Sequence, residues 1–438
     1  MSIRPEVYSR YAGMHVPRYT SYPTAPHFSA AIGDAHYQQW LGQLPADEPV
    51  SVYIHVPFCR EMCWYCGCHT TVVKREAPVT RYVSALSQEI RLAASTIQTR
   101  LGVANVHWGG GTPSLLTPDS IEGVSRELIE AFDFADDAEI AIEVDPRTLT
   151  EPVVKAFARA GVNRASLGVQ SFDPGVQAAI NRVQTFETTA QATELLRSHD
   201  ISAINLDLVY GLPCQTVSSC VDTAQQALRL CPERLAIFGY AHVPDFKPHQ
   251  RKIDESVLPG PAERQEQFRA MAQLLVGEGY VQIGLDHFAL PSDPLAVAGT
   301  DGTLRRNFQG YTTDDSPTLL GFGASAIGRL PQGYVQNATR IPDYERRIHA
   351  GELAVVRGCC LSDEDRQRAA IIEQLMCDYK ADIGALPIPL RQLEADGLVR
   401  CSGSLVELTD EARPLVRVVA AAFDAYLTNS TAQHVVAI

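Results

Sequence analysis

The stretch Cys59-Arg-Glu-Met-Cys63-Trp-Tyr-Cys66-Gly-Cys68 carries four of the chain's eleven cysteines. It follows the apolar run Ser51-Val-Tyr-Ile-His-Val-Pro-Phe58, which predicts a short strand delivering a loop. The C-x3-C-x2-C spacing can bring three thiolates to one point. A [4Fe–4S] cube held wholly by protein takes four cysteines, so three leave one iron open for chemistry. The competing reading is structural zinc, with Cys68 or His69 as fourth ligand. Zinc favours paired hooks brought from two places, and no second hook of matching spacing follows. The remaining cysteines are scattered and no secretory segment opens the chain, which argues against disulfides. Cys68 reads either as a reactive thiol beside the cluster or as a small buried residue.

Around this loop the chain alternates strand and helix. Val79, Tyr82, Val83, Leu86, Ile90 and Ala93 recur at helical spacing. Val103–Trp108 is strand-like and runs into the glycines 109–111. Thr117 and Pro118 then mark a helix start, with Ile121, Val124, Leu128 and Phe132 on one face. Ala138–Val144 predicts the next strand and Thr150 the following helix cap. Arg164–Gln170, Ile201–Leu208 and Leu235–Tyr240 predict three more strands. Six such units in series imply a parallel sheet with right-handed crossovers. Polar residues at the strand C-terminal ends favour a barrel or partial barrel, where chemistry sits at that end. Contiguous glycines allow close backbone approach to a ligand. Glu143, Gln170, Arg182 and Asp207 each read singly as an ordinary polar residue, and together as one polar site.

The flanks differ in texture. Residues 1–48 form an N-terminal arm whose proline-bounded segment Pro17-Arg-Tyr-Thr-Ser-Tyr-Pro-Thr24 is either a packing strap or a lid offering Arg18 and the tyrosines to a substrate. Residues 49–330 hold the strand–helix units. In residues 331–438, helical Asp363–Asp378 and Leu390–Gly397, a Cys401–Leu408 hairpin and helical Asp410–Leu427 suggest a small, mainly helical, winged-helix-like domain. It carries no basic stripe, so a structural or capping role is expected. The net charge of −14 disfavours nonspecific nucleic-acid binding, and no apolar run reaches membrane-span length. The opening Met-Ser-Ile-Arg-Pro-Glu lacks an apolar core, so a cytoplasmic location is expected.

The cysteine triplet, glycine run and repeated units resemble the radical S-adenosylmethionine enzymes. His55-Val-Pro-Phe-Cys59 with Cys66-Gly-Cys68, Trp108-Gly-Gly-Gly-Thr-Pro113, Glu143-Val-Asp-Pro-Arg147 and Gly168-Val-Gln170 narrow this to the oxygen-independent coproporphyrinogen III oxidase (dehydrogenase) family. Asp207-Leu-Val-Tyr-Gly-Leu-Pro213, Tyr240-Ala-His-Val-Pro244 and Asn307-Phe-Gln-Gly-Tyr-Thr-Thr313 fit the same pattern. The resemblance runs from Arg18 to about Gly328 and implies an α/β fold, a partial parallel (β/α)6 barrel of radical S-adenosylmethionine type. It shifts the arm towards the lid reading. It implies that Cys59, Cys63 and Cys66 hold a [4Fe–4S] cluster and that Tyr53 and Glu143 belong to the catalytic centre. Tyr53, Gly110, Glu143 and Ile327 would contact one S-adenosylmethionine. Tyr65, Gly111, Thr112, Gln170, Arg182, Asp207 and Ala241 would contact a second.

The implied reaction is oxidative decarboxylation of two propionates of coproporphyrinogen III to vinyl groups, by 5′-deoxyadenosyl radical chemistry, giving protoporphyrinogen IX for haem biosynthesis. An unidentified low-potential electron donor and a monomeric state go with that expectation. Arg18, Lys247, His249, Arg251, Arg305 and Arg306 are candidate cations for the substrate carboxylates. Two alternatives stand beside it: a radical S-adenosylmethionine haem chaperone and a zinc-binding regulatory protein. The chaperone pattern generally lacks the arm and the Gly-Cys pair after the third ligand. The shortened segment between Asp378 and Leu390 departs from the family pattern.

Overall fold

The computed structural model describes residues 3–427. Six strands run in parallel through its centre: β1 (Val50–Val56), β2 (Gly102–Gly110), β3 (Asp133–Val144), β4 (Arg164–Gln170), β5 (Ala203–Tyr210) and β6 (Arg234–Gly239). Five lie within a residue or two of the expected spans. The third begins earlier, at Asp133. A strand not counted among the six units, β7 (Thr318–Phe322), pairs in parallel with the outer side of β1. Antiparallel strands extend both edges into one open sheet of twelve, a partial barrel.

Helices close the crossovers. In α1 (Ala77–Thr96), Val79, Tyr82, Val83, Leu86, Ile90 and Ala93 are all buried. α2 (Pro118–Ala131) starts as its sequence says, with the Thr117 hydroxyl accepting from the Ser120 amide. α3 (Glu151–Arg159) has Thr150 at its cap position, but that side chain makes no capping bond. Alternate strand positions explain both faces of the sheet. Val52, Ile54, Val106, Trp108, Ile142, Leu167, Leu206 and Leu208 are almost fully buried in one core beneath the helices. Their neighbours Tyr53, His107, Glu143, Ser166 and Asp207 point the other way and are half-buried. A parallel strand buried on both faces would be apolar throughout. The face turned towards the lumen here is polar instead.

The arm and the C-terminal region share a second core. Val7, Tyr11, Val16, Tyr19 and Tyr22 are buried with Leu375, Leu398, Val406, Val419 and Phe423. Each such side chain stabilises by about 2 kcal/mol gross. Tyr19 also donates to Asp424 at 3.0 Å. The tyrosines therefore fasten the arm rather than meet a substrate, which corrects that part of the lid reading. Asp363–Asp378 is helical as expected, starting in a Ser362–Asp365 capping box. The hairpin is Val399–Ser402 with Leu405–Leu408, and Lys380–Asp382 adds a third strand. The expected helix Asp410–Leu427 is broken into a 3₁₀ segment Asp410–Leu415 and a short α-helix Val416–Ala421. Pro414 cannot donate its amide to a continuous helix.

Candidate active site

The cysteine loop leaves the C-terminal end of β1 and is closed by a short parallel pairing of Phe58–Cys59 with Thr71–Val72. Each thiol has its own set of donors. Cys59 Sγ lies 3.2 Å from Thr70 Oγ1 and accepts from Thr112 Oγ1 at 3.3 Å. Cys63 Sγ accepts from Arg147 Nη2 at 3.7 Å and Arg182 Nη1 at 3.6 Å. Cys66 Sγ accepts from the Cys68 amide at 3.4 Å. Donation from the Cys68 thiol brings Cys66 down to about 7, against burial. Burial pushes Cys59 up despite its two hydroxyl partners. Among the described residues no three His, Cys, Asp or Glu side chains close on a single ion. A cube spreads its thiolates over separate irons, and donors beside each sulfur stabilise the negative charge they bring. The three thiols fit a cluster.

The loop is held from outside through its carbonyls. Lys247 Nζ donates to Cys68 O at 3.0 Å and His249 Nε2 to Cys66 O at 2.8 Å. Gln250 bridges Tyr65 O at 3.1 Å and Ala241 O at 3.2 Å, and Asn181 donates to Met62 O at 2.9 Å. Lys247 and His249, expected as substrate cations, are thus committed to backbone support.

The glycine run lets β2 pass under the loop. A Cβ on Gly110, which has φ of +113°, would lie 2.5 Å from the His55 ring, and one on Gly111 would lie 2.6 Å from the Phe58 carbonyl oxygen. Glu143 rises beside it, accepting from the Gly110 amide at 2.9 Å and facing His107 Nε2 at 3.3 Å. Burial would raise its carboxyl, but His107 and the amide outweigh this and hold it below the usual range. Tyr53, in register with His107, contacts His55 Nδ1 at 2.9 Å. His55 Nε2 meets the His69 carbonyl at 3.1 Å, and a carbonyl only accepts, so the ring proton is on Nε2 and Tyr53 donates. Burial lowers His55 to about 4, which keeps it neutral. Ile327 lies across β7 from Tyr53: Gly321 is the register partner of Tyr53 and packs on the Ile327 carbonyl.

The other expected residues follow round the rim. Asp207 accepts from Ser166 and Asn205, each at 2.8 Å, and burial raises it to about 6. Arg182 is buried, donates to Gly168 O at 2.7 Å, and reaches Asp145 at 3.4 Å. Its Nε has no partner among the described residues. Gln170 adopts a left-handed φ of +68°, and its amide nitrogen lies 2.8 Å from where a Gly168 Cβ would be. Asp145, Arg147, His107 and Thr70 escaped the sequence reading. The first two lie inside the Glu143–Arg147 motif, which was the available signal.

Beside the rim lies a cavity of about 1520 Å³, meeting it at Gly239, Tyr240 and Ala241. Arg18 and Arg306 line it, with Arg264 and Arg417, which sequence reasoning did not single out. Arg305 lines a separate cavity of about 130 Å³. Arg251 instead makes an exposed ion pair with Asp245.

Residues 53–227 match the radical SAM superfamily model. The chain is 51% identical to the oxygen-independent coproporphyrinogen III oxidase of Bradyrhizobium diazoefficiens, over 99% of each chain. It is 42% identical to that of Paracoccus denitrificans, over 94% of each. Its fold is similar to coproporphyrinogen III oxidase from Escherichia coli, described as a radical SAM enzyme, with a TM-score of 0.89 at 37% identity over 93% of this chain and 97% of that one.

Proposed function

This chain belongs to the oxygen-independent coproporphyrinogen III oxidase family of the radical S-adenosylmethionine superfamily, and from that premise we propose how its residues divide the work. The reaction is anaerobic oxidative decarboxylation of two propionates of coproporphyrinogen III to vinyl groups, giving protoporphyrinogen IX. For each propionate, one hydrogen atom leaves the β-carbon, the bond to the carboxylate breaks to release carbon dioxide, and one electron passes to an acceptor. A [4Fe–4S] cluster and S-adenosylmethionine, when bound, supply the carbon radical that takes the hydrogen atom.

Cys59, Cys63 and Cys66 hold the cluster. Thr70, Thr112, Arg147 and Arg182 donate to their sulfurs and tune it. Glu143, kept ionised, and Tyr53, Gly110 and Ile327 receive the first S-adenosylmethionine; an ionised carboxylate suits its ammonium and ribose hydroxyls. Tyr65, Gly111, Thr112, Gln170, Arg182, Asp207 and Ala241 would form the seat of the second. The residues 1–48 with the C-terminal region cover the barrel mouth, and residues 49–330 carry the chemistry. The carrying observation is the convergence of three separately supported thiols with Glu143, Arg182 and Asp207 on one end of one parallel sheet.

The described residues include no helix long and apolar enough to cross a membrane. We assign the enzyme to the cytoplasm, working as a monomer with a low-potential electron donor; its free thiols suit a reducing compartment. The test is anaerobic reconstitution, reduction and incubation with S-adenosylmethionine and coproporphyrinogen III. Protoporphyrinogen IX is expected together with 5′-deoxyadenosine and methionine. Cleavage of S-adenosylmethionine with no decarboxylated tetrapyrrole would refute the assignment, and absence of bound iron and sulfide would refute the cluster.

A further inference from the structure

Helix α1 carries a buried carboxylate that lies outside the site described above. Glu89 is 1% exposed and sits two turns along from Tyr82 on the same buried face. Its three hydrogen-bond donors are neutral and come from three separate segments. Glu89 Oε2 accepts from the Gly323 amide at 2.7 Å and from Tyr344 Oη at 2.6 Å, and Oε1 accepts from Asn337 Nδ2 at 2.6 Å. Burial raises the carboxyl to about 7, and the three donors pull against that rise. Tyr82 makes a second tie. Its hydroxyl donates to the His55 carbonyl at 2.7 Å and accepts from the Ala324 amide at 2.9 Å.

The segments tied in this way run directly to the active site. Gly323–Ala326 is the turn between β7 and the strand Ile327–Leu330, and it ends at Ile327. Gly323 packs on the His55 carbonyl, where an added Cβ would lie 2.6 Å away. Asn337 closes over the same turn. Its side chain donates to Gly323 O at 2.9 Å and its amide to Ala326 O at 3.0 Å, while the Ser325 amide donates to Ala338 O at 2.9 Å. Just beyond, Thr339 O accepts from His69 Nε2 at 2.7 Å, and His69 directly follows Cys68. His55 precedes Cys59 on the other side of the loop, and its ring meets Tyr53 and the His69 carbonyl. Both ends of the cysteine loop and the turn carrying Ile327 are therefore tied to one face of α1.

We propose that Glu89 and Tyr82 form a clamp that fixes the turn ending in Ile327 against the cysteine loop, and so positions S-adenosylmethionine relative to the cluster. Both are positioning residues, acting through Gly323, Ala324 and His55. The inference rests on the function proposed above, in which Ile327 and the loop receive those two groups. Apolar side chains would fill the same space without fixing the turn. Hydrogen bonds to two successive amides set its orientation, because they are directional. Reacting groups must be held to within about half an ångström by such supporting contacts.

The test compares cluster-loaded Glu89→Gln, Tyr82→Phe and Tyr344→Phe with the wild-type enzyme, anaerobically and well below each melting temperature. Glu89→Gln turns an N–H towards groups that are themselves donors, and Tyr82→Phe releases both the His55 carbonyl and the Ala324 amide. Each should retain its iron yet raise the Kd for S-adenosylmethionine about tenfold, read by equilibrium dialysis. Tyr344→Phe also removes one buried hydroxyl, but from a helix that reaches neither Ile327 nor the loop, so its Kd should rise less. Affinity for coproporphyrin III should stay unchanged in all three.

A side chain that only stabilised the fold would lower the melting temperature and leave the Kd of the folded enzyme at its wild-type value. That result in Glu89→Gln and Tyr82→Phe would overturn the clamp, as would equal weakening of S-adenosylmethionine and coproporphyrin III. Should Glu89→Gln fail to fold, the contrast between the two phenylalanine variants decides: equal Kd values for S-adenosylmethionine would overturn the clamp. The two readings fail separately. Wild-type enzyme that binds S-adenosylmethionine more tightly than the variants but forms no protoporphyrinogen refutes the reaction and leaves the clamp standing.

Discussion

The lumen under the cysteine loop and the cavity beside it are built on opposite principles. The lumen presents Glu143, Asp145 and Asp207, each with its own hydrogen-bond partners in place before any ligand arrives. The cavity is lined by arginines, one of which, Arg306, has buried Nε and Nη1 atoms with no hydrogen-bond partner among the described residues. The lumen's carboxylates are held by donors of the protein itself, whereas Arg264 and Arg306 in the cavity lie against aromatic rings. Lumen and cavity meet at Tyr240 and Ala241, where the Ala241 carbonyl is tied through Gln250 to the cysteine loop and the Tyr240 carbonyl holds Arg264.

The largest effect should come from the loop itself. Replacing Cys59, Cys63 or Cys66 by serine should abolish cluster-bound iron and turnover, measured by iron content and product formation. Cys68→Ser should retain the iron. Next is Arg182→Met, which leaves Asp145 with one cation fewer and Cys63 with one donor fewer in a buried setting. It should cost about 3 kcal/mol of stability by denaturant titration, with cluster retention lowered as well.

The lumen carboxylate gives a pH-resolved contrast. Burial raises Asp207 to about 6 in the folded state, above its unfolded value, so the native state holds its proton more tightly. That contribution is fully present at low pH and is lost as pH rises through about 6. Asp207→Asn should therefore stabilise the protein at pH 8 by about 2 kcal/mol and change little at pH 4, seen as a melting-temperature gain confined to the higher pH. The smallest effect should be at Lys247. Its ammonium is spent on the Cys68 carbonyl, so Lys247→Met should change the KM for coproporphyrinogen III by no more than about twofold. A larger change would return it to the list of substrate cations.

The same contrast explains what the sequence made legible. The lumen is assembled from the ends of consecutive strands, so Cys59, Gly110, Glu143, Gln170 and Asp207 each lie in or beside a recognisable strand signal. Periodicity placed those strands, and their shared direction placed the residues at one rim. The cavity is assembled from positions 18, 264, 306 and 417, which no local pattern connects. Arg264 and Arg417 sit on helices where an arginine is ordinary, and only the tertiary fold shows that they face one space. Lys247 and His249 show the converse. Their charge suggested a substrate role, whereas the loop's need for carbonyl partners claimed them. In the C-terminal region, Pro414 was present to mark the break in the expected helix, but the apolar run after it masked the signal.

The most direct test of this division is a crossed titration of Asp207→Asn and Arg264→Met with S-adenosylmethionine and with coproporphyrin III. The account predicts that Asp207→Asn weakens S-adenosylmethionine binding and spares the porphyrin, while Arg264→Met does the reverse. Equal weakening of both ligands in either variant would contradict it.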